Sequence, residues 1–248
     1  MYSFPLQVGP ELYLYDMGEW SKYTPIQGGG WIREQKARSS VEREWAALTF
    51  VAAAQAIYLT GGQNEDCLTL TSCERYCIRT DQWFPAPDLN VARWYHSSCV
   101  QGRFLFVICG YNLIDRYLNS IEQLDTEADT NGSATQWNLI SVSPDVLSVW
   151  SWPLVVPINA TEILIMGGWN SRGYKSDVYV FNTATQAVTR EKSSLKLSDS
   201  DNQFKFACPY NQSYVTRKGE IIALVADSDR KGHLISYRYG ADTVSKLY

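Results

Sequence analysis

Histidine is scarce in this chain: its 248 residues hold two, His96 and His233. They stand far apart in sequence, and neither belongs to H-E-x-x-H, the spacing that presents two imidazoles on one helix face to zinc. No G-x-S-x-G occurs, so the turn that exposes a nucleophilic serine is missing as well. Like charges never gather into a block, and the net charge is −4. Nucleic acid and anionic membranes are bound through clustered Lys and Arg, so neither is an expected partner. The first twenty residues, "MYSFPLQVGPELYLYDMGEW", lack a basic n-region and a long apolar core, so no secretory signal is expected. The longest apolar run, "WAALTFVAAAQAIYL", is about 15 residues and is broken by Gln55, which is short for a membrane span. Six cysteines lie at 67, 73, 77, 99, 109 and 208. The first three form C-x5-C-x3-C, which is no familiar zinc spacing, so reduced structural thiols and no metal are expected. Sequons at Asn131, Asn159 and Asn211 are of the number chance supplies. A cytosolic or nuclear protein is the plain expectation.

Aromatic residues are plentiful, with 9 Trp and 16 Tyr. Flat rings suit pleated, half-buried strands. One stretch, "EILIMGGWN" (162–170), is repeated as "QAIYLTGGQ" (55–63) and as "RFLFVICGYN" (103–112), where Cys109 replaces the first glycine. Tyr76 follows Gly62 by fourteen residues, Leu124 follows Gly110 by fourteen, and Phe181 follows Gly168 by thirteen. A weaker fourth copy, "EIIALVADSD", leads to Tyr239 as its anchor. The anchors are 48, 57 and 58 residues apart, and the extra length falls in polar segments such as "ADTNGSATQ", where loops are expected. Trp83 stands seven residues after its anchor and Val188 seven after Phe181; Trp137 is displaced by an insertion.

A glycine pair, an aromatic about fourteen residues on and a tryptophan seven later resemble the kelch motif. The nearest match is "CERYCIRTDQWFPAPDLNVARWYHSS", whose Glu74, Tyr76, Trp83 and Arg93 fall where that family carries Glu, Tyr, Trp and Arg. The resemblance covers residues 42–195 well and 205–248 loosely. It implies an all-β fold, a kelch-type β-propeller, in which each unit is a blade of four antiparallel strands. Strand b is continuously apolar because both of its faces are covered. The motif residues Gly61, Gly62, Gly110, Gly167 and Gly168 end that strand where a Cβ would clash. Tyr76, Phe181, Trp83 and Trp137 fill the wedge between blades.

About five blades are expected: a partial one at 1–25, a polar loop at 26–41, and full blades at about 42–86, 90–142, 148–195 and 205–248. Such a chain is either a compact five-bladed ring or an incomplete one that another chain or further sequence finishes.

The triple glycine 28–30 and Gly167-Gly168 lack the Lys-Ser/Thr of a phosphate loop and read as backbone devices. Glu74, Glu122, Arg43 and Arg93 are the charges a small-molecule enzyme could draw on. The repeat equivalence of Glu74 and Glu122 favours a structural role for them, and His96 also reads as structural. No catalytic residue and no cofactor are expected. Two equivalent b–c loops offer binding residues instead: Tyr111, Arg116 and Tyr117 in one, Trp169, Arg172 and Tyr174 in the other. Trp150 and Trp152 read as packing between blades. The expected function is a non-catalytic protein-interaction module, an adaptor or structural subunit of a larger assembly. What is known of the family adds cytoskeletal or ciliary attachment and, as an alternative, substrate recognition for a ubiquitin ligase. For the latter, the usual BTB or BACK companion is absent from these 248 residues.

Overall fold

The computed structural model describes residues 4–130, 136–143, 146–147, 151–192, 195–197, 205–208, 213–216, 218–227, 229, 231–241 and 243–247. It is all-β apart from one short helix, Thr126–Thr130. Five sheets, antiparallel but for one short parallel pair in the last, follow one another along the chain in the blade arrangement of a propeller. Two compact units divide it. One takes Met1–Trp94, Arg103–Leu105 and Gln123–Asn138; the other takes Tyr95–Gly102, Phe106–Glu122 and Leu139–Tyr248.

The first sheet has four strands, Phe4–Val8, Glu11–Asp16, Glu19–Pro25 and Trp31–Lys36, paired in that order. This corrects the expected partial blade and the expected loop at 26–41. The last strand hides from sequence reading because five of its six residues, Trp31 to Gln35, are exposed, so no apolar alternation marks it. Gly28, Gly29 and Gly30, all at positive φ, make the hairpin turn ahead of it, closed by Ile26 N–H to Gly30 O at 3.2 Å. The second and third strands are joined through Met17 (φ 46°) and Gly18 (φ 84°), the two-residue left-handed turn that matches strand twist. That turn explains the short spacing from Tyr15 to Trp20, which pair across it.

The second sheet, Ala47–Val51, Ala56–Thr60, Cys73–Cys77 and Gln82–Ala86, follows the motif closely. So does the third, Ser97–Gln101, Phe104–Ile108, Ile121–Asp125 and Asn138–Ile140, and the fourth, Leu154–Pro157, Glu162–Met166, Val178–Asn182 and Ala187–Lys192. Every residue of Ala56–Thr60 is buried, as are the last four of Phe104–Ile108 and of Glu162–Met166. The segment 128–136, read as a loop, includes the end of the helix. Its residues 131–135, with the sequon at Asn131, lie outside the described residues, as do Trp150 and Asn211. The helix sets Asp129 against the second sheet, where its carboxylate accepts from the Tyr58 hydroxyl at 2.6 Å.

The repeat anchors pack as the spacing implies in three copies: Tyr76, Leu124 and Phe181 are all buried. In the fourth copy the anchor is Tyr237, not Tyr239. Tyr237 is 1% exposed and lies opposite Ile221 and Val244, whereas Tyr239 is 41% exposed beyond the end of Gly232–Arg238. Tyr237 to Val244 is again seven residues, the step from Tyr76 to Trp83. The fifth sheet also departs from four strands. Lys196–Leu197 pairs parallel outside Thr243–Lys246, and both Phe206–Ala207 and Ser213–Val215 pair with Glu220–Asp227. Glu220–Asp227 alternates buried and less buried positions, which is why its copy reads faintly.

Two of the motif glycines sit where a Cβ would clash. Gly62 (φ 98°) leaves no room for a Cβ, which would lie 2.7 Å from Glu44 O. At Gly167 (φ 66°) a Cβ would come within 2.7 Å of the Phe206 ring and carbonyl. Gly167→Ala is expected to cost roughly 2–4 kcal/mol, combining a left-handed Cβ penalty with overpacking, and urea unfolding would measure it. Cys109 holds the equivalent position at φ 60°, fully buried, without glycine's freedom.

A candidate interaction face

Beyond strand b of the third and fourth sheets the chain forms two short hairpins. One pairs Tyr111–Asn112 with Arg116–Tyr117; the other pairs Trp169–Asn170 with Gly173–Tyr174. Each is stiffened by an asparagine at its first corner. The Asn112 side-chain oxygen accepts from the Ile114 and Asp115 amides at 3.0 and 2.6 Å, and Asn170 accepts from the Arg172 amide at 2.9 Å. Asn64, two residues past Gly62, accepts from the Leu68 amide at 2.9 Å in the same way. An asparagine stands two residues past Gly62, Gly110 and Gly168, a residue type that favours such turns.

The six binding residues expected from sequence all lie on these two hairpins, in one unit. Tyr111 and Tyr117 meet edge to face at 5.1 Å, and Tyr117 meets Trp169 across to the next hairpin at 5.6 Å. Arg116, at φ 68°, donates to the Tyr111 hydroxyl at 2.8 Å. Trp169 lies opposite Tyr174 in its hairpin. Arg172 is exposed and forms no ion pair among the described residues. The rings are half-buried, anchored at their roots with an edge in water. Sequence reading missed the tip between them: Leu113 is 55% exposed and Ile114 90%. Apolar residues at a polar hairpin tip carry no periodic signal.

The charges considered for chemistry are built into the packing. Arg43 is fully buried; its guanidinium donates to Gly61 O at 2.9 Å and Ser72 O at 2.6 Å and pairs with Glu74 at 3.1 Å. The other Glu74 oxygen accepts from the Ser40 amide at 2.8 Å. Arg93 and Glu122 are equally buried, and the Arg93 carbonyl accepts from the Gly62 amide at 2.8 Å. His96 is buried just ahead of Ser97–Gln101, while His233 lies 2.6 Å from an Asp227 oxygen. Burial pushes the Cys73 thiol up to about 12, so it stays protonated and unreactive. Trp83 and Trp137 each donate to a linker carbonyl, Ala37 O at 2.7 Å and Pro87 O at 2.8 Å, so the displaced Trp137 keeps its place in the motif. Phe181 packs on Phe106 at 5.8 Å. No helix among the described residues is long and apolar enough to cross a membrane.

The Kelch motif family model matches residues 46–90, the second sheet. Kelch-like protein 26 of Danio rerio is 25% identical over 178 residues, 54% of this chain and 29% of that protein. Kelch-like protein 26 of Homo sapiens is 37% identical over 57 residues, 23% of this chain and 9% of that protein. The chain thus spans less than a third of the curated relatives it matches. Among solved structures, the one titled "Structure of YjhT" superposes with a TM-score of 0.66 over 90% of this chain and 71% of its own, at 14% identity, a likeness of fold. The chain is thus a five-bladed β-propeller whose second sheet matches the Kelch motif and whose sequence is similar to parts of Kelch-like proteins.

Proposed function

We propose that this chain is a non-catalytic protein-interaction module, an adaptor or structural subunit of a larger assembly, that binds its partner through the two hairpins at 111–117 and 169–174. The observation that carries the reading is the pair of hairpins itself. Turns fixed by Asn112 and Asn170 hold half-buried aromatic rings, an exposed arginine and the apolar tip Leu113-Ile114 toward solvent. Aromatic and arginine side chains with little freedom left to lose are the usual energetic anchors of interfaces. Burial of Arg43, Glu74, Arg93 and Glu122 inside the blades speaks against a catalytic reading. The setting that goes with this function is cytoplasmic, on a cytoskeletal or ciliary assembly, and imaging the tagged chain in cells would test it.

The binding test compares the chain with a Trp169→Ala, Arg172→Ala variant. Partners captured from extract should be identified, purified and titrated against both. The variant is expected to bind at least about tenfold more weakly, because truncated anchors cost 2 kcal/mol or more. Equal affinity for the same partner would remove this face from consideration.

A further inference from the structure

The aromatic surface does not stop at the hairpins. Ser151 and Trp169 exchange both backbone hydrogen bonds, each 2.8 Å, so Trp152 follows directly from the root of the second hairpin. Its ring lies 3.9 Å from that of Tyr95, the two centroids inclined at 48°. The backbones are tied in series: Trp152 N–H donates to Tyr95 O at 2.7 Å, and Cys208 N–H to Trp152 O at 2.8 Å. Both aromatic residues are half-buried, and both adopt left-handed backbone, φ 56° at Tyr95 and 54° at Trp152. In the other unit, Trp45 has the same conformation at the same place before strand a, φ 53°, and packs on Trp94 at 4.8 Å. A left-handed backbone favours glycine, yet three successive blades spend it on a large ring.

Between 111–117 and 169–175 stand three cations, Arg116, Arg172 and Lys175, against the single carboxylate Asp115, in a protein of net charge −4. Resting on the reading of this face as an interaction surface, we propose that its occupant is an extended acidic segment of a partner protein. Its Asp or Glu carboxylates would meet Arg116, Arg172 and Lys175, and one large apolar side chain would sit on the Tyr95–Trp152 pair. Arginine suits this task because its planar fork matches a carboxylate, and aromatic faces accept an apolar side chain at little entropic cost.

A random peptide library displayed against the full chain tests the proposal. Enriched peptides should carry several Asp or Glu around one large apolar residue, and their binding should weaken with added salt. Arg172→Glu, an exposed position, should weaken them at least about tenfold and admit peptides with Lys in place of the acids. Trp152→Ala, checked for native circular dichroism, should remove the preference for the apolar residue. Neutral or basic peptides that still need Trp169 would overturn the acidic segment while leaving the interaction face intact. Enriched peptides indifferent to Trp169→Ala would sink both. A library that enriches nothing would rule out recognition of a short segment.

Discussion

Arg43→Ala should destabilise the chain by about 3–5 kcal/mol, the range found when one partner of a buried ion pair is removed. Arg43 is 0% exposed and serves four acceptors: Val41 O, Gly61 O, Ser72 O and the Glu74 carboxylate. Truncation leaves Glu74 in the interior with only the Ser40 amide at its other oxygen. It also strips a donor from two carbonyls, Gly61 just past strand b and Ser72 just before strand c, where the glycine pair turns. The pair itself need not be a large source of stability, because both charges were taken out of water to make it. A double replacement of Arg43 and Glu74 by apolar residues of similar volume should therefore recover part of what Arg43→Ala loses. Arg190→Ala provides the contrast. Arg190 pairs with Asp177, but its side chain is 50% exposed, so its loss should cost less than about 1 kcal/mol. Urea midpoints at unchanged m-value would rank the variants. A deficit below about 1 kcal/mol for Arg43→Ala would mean that Glu74 finds water or another partner, and the buried pair would lose its role as the fixed point of the blade.

What could be read from the sequence depended on whether a residue's task repeats. Gly62 and Gly167 recur because a neighbouring chain leaves no space for a Cβ, and that demand is the same in each blade. Tyr76 and Phe181 recur because the wedge between blades has one size. The first sheet read only as a partial blade because its b–c connection is the two-residue turn at Met17-Gly18, which removes the glycine pair and shortens the spacing to Trp20. Its outer strand, Trp31–Lys36, has one free edge and no buried face, so there was no pattern to find. Tyr239 was preferred over Tyr237 because two tyrosines two residues apart share a strand face; the strand's end at Arg238 decides between them. On the two hairpins, Tyr111, Tyr117 and Trp169 were legible as aromatics of equivalent b–c loops. Ile114 was not, since an exposed apolar residue at a hairpin tip belongs to no repeating pattern of burial. The Tyr95–Trp152 pair was hidden for another reason: its rings stand where they do because of left-handed φ values, which no apolar pattern announces.

Trp20→Ala is the second large effect, and it tests whether the first sheet is a full member of the propeller. Trp20 is 0% exposed. Its ring lies 5.2 Å from Tyr13, 5.6 Å from Tyr76, 5.7 Å from Trp83 and 6.2 Å from Tyr15. Tyr13 and Tyr15 belong to its own sheet and Tyr76 and Trp83 to the next, so the indole joins two blades within one unit. The polar rims of these rings are already committed. Tyr76 donates to an Asp81 oxygen at 2.7 Å, the same oxygen accepts from the Ala37 amide at 3.0 Å, and Trp83 donates to Ala37 O at 2.7 Å. These bonds pin the linker between the two sheets, so the surrounding rings cannot slide inward to fill the space an indole leaves. Incomplete collapse places the cost at about 3–5 kcal/mol, at the level of other Trp→Ala core truncations. Trp20→Phe, which keeps most of the contact, should cost about half as much. Hydrogen exchange would show where the damage falls. Amides of both Glu11–Asp16 and Cys73–Cys77 should lose protection together if the two blades share one core. Loss confined to the first sheet would mean that it folds as an appendage, and that the second blade closes its own wedge without it.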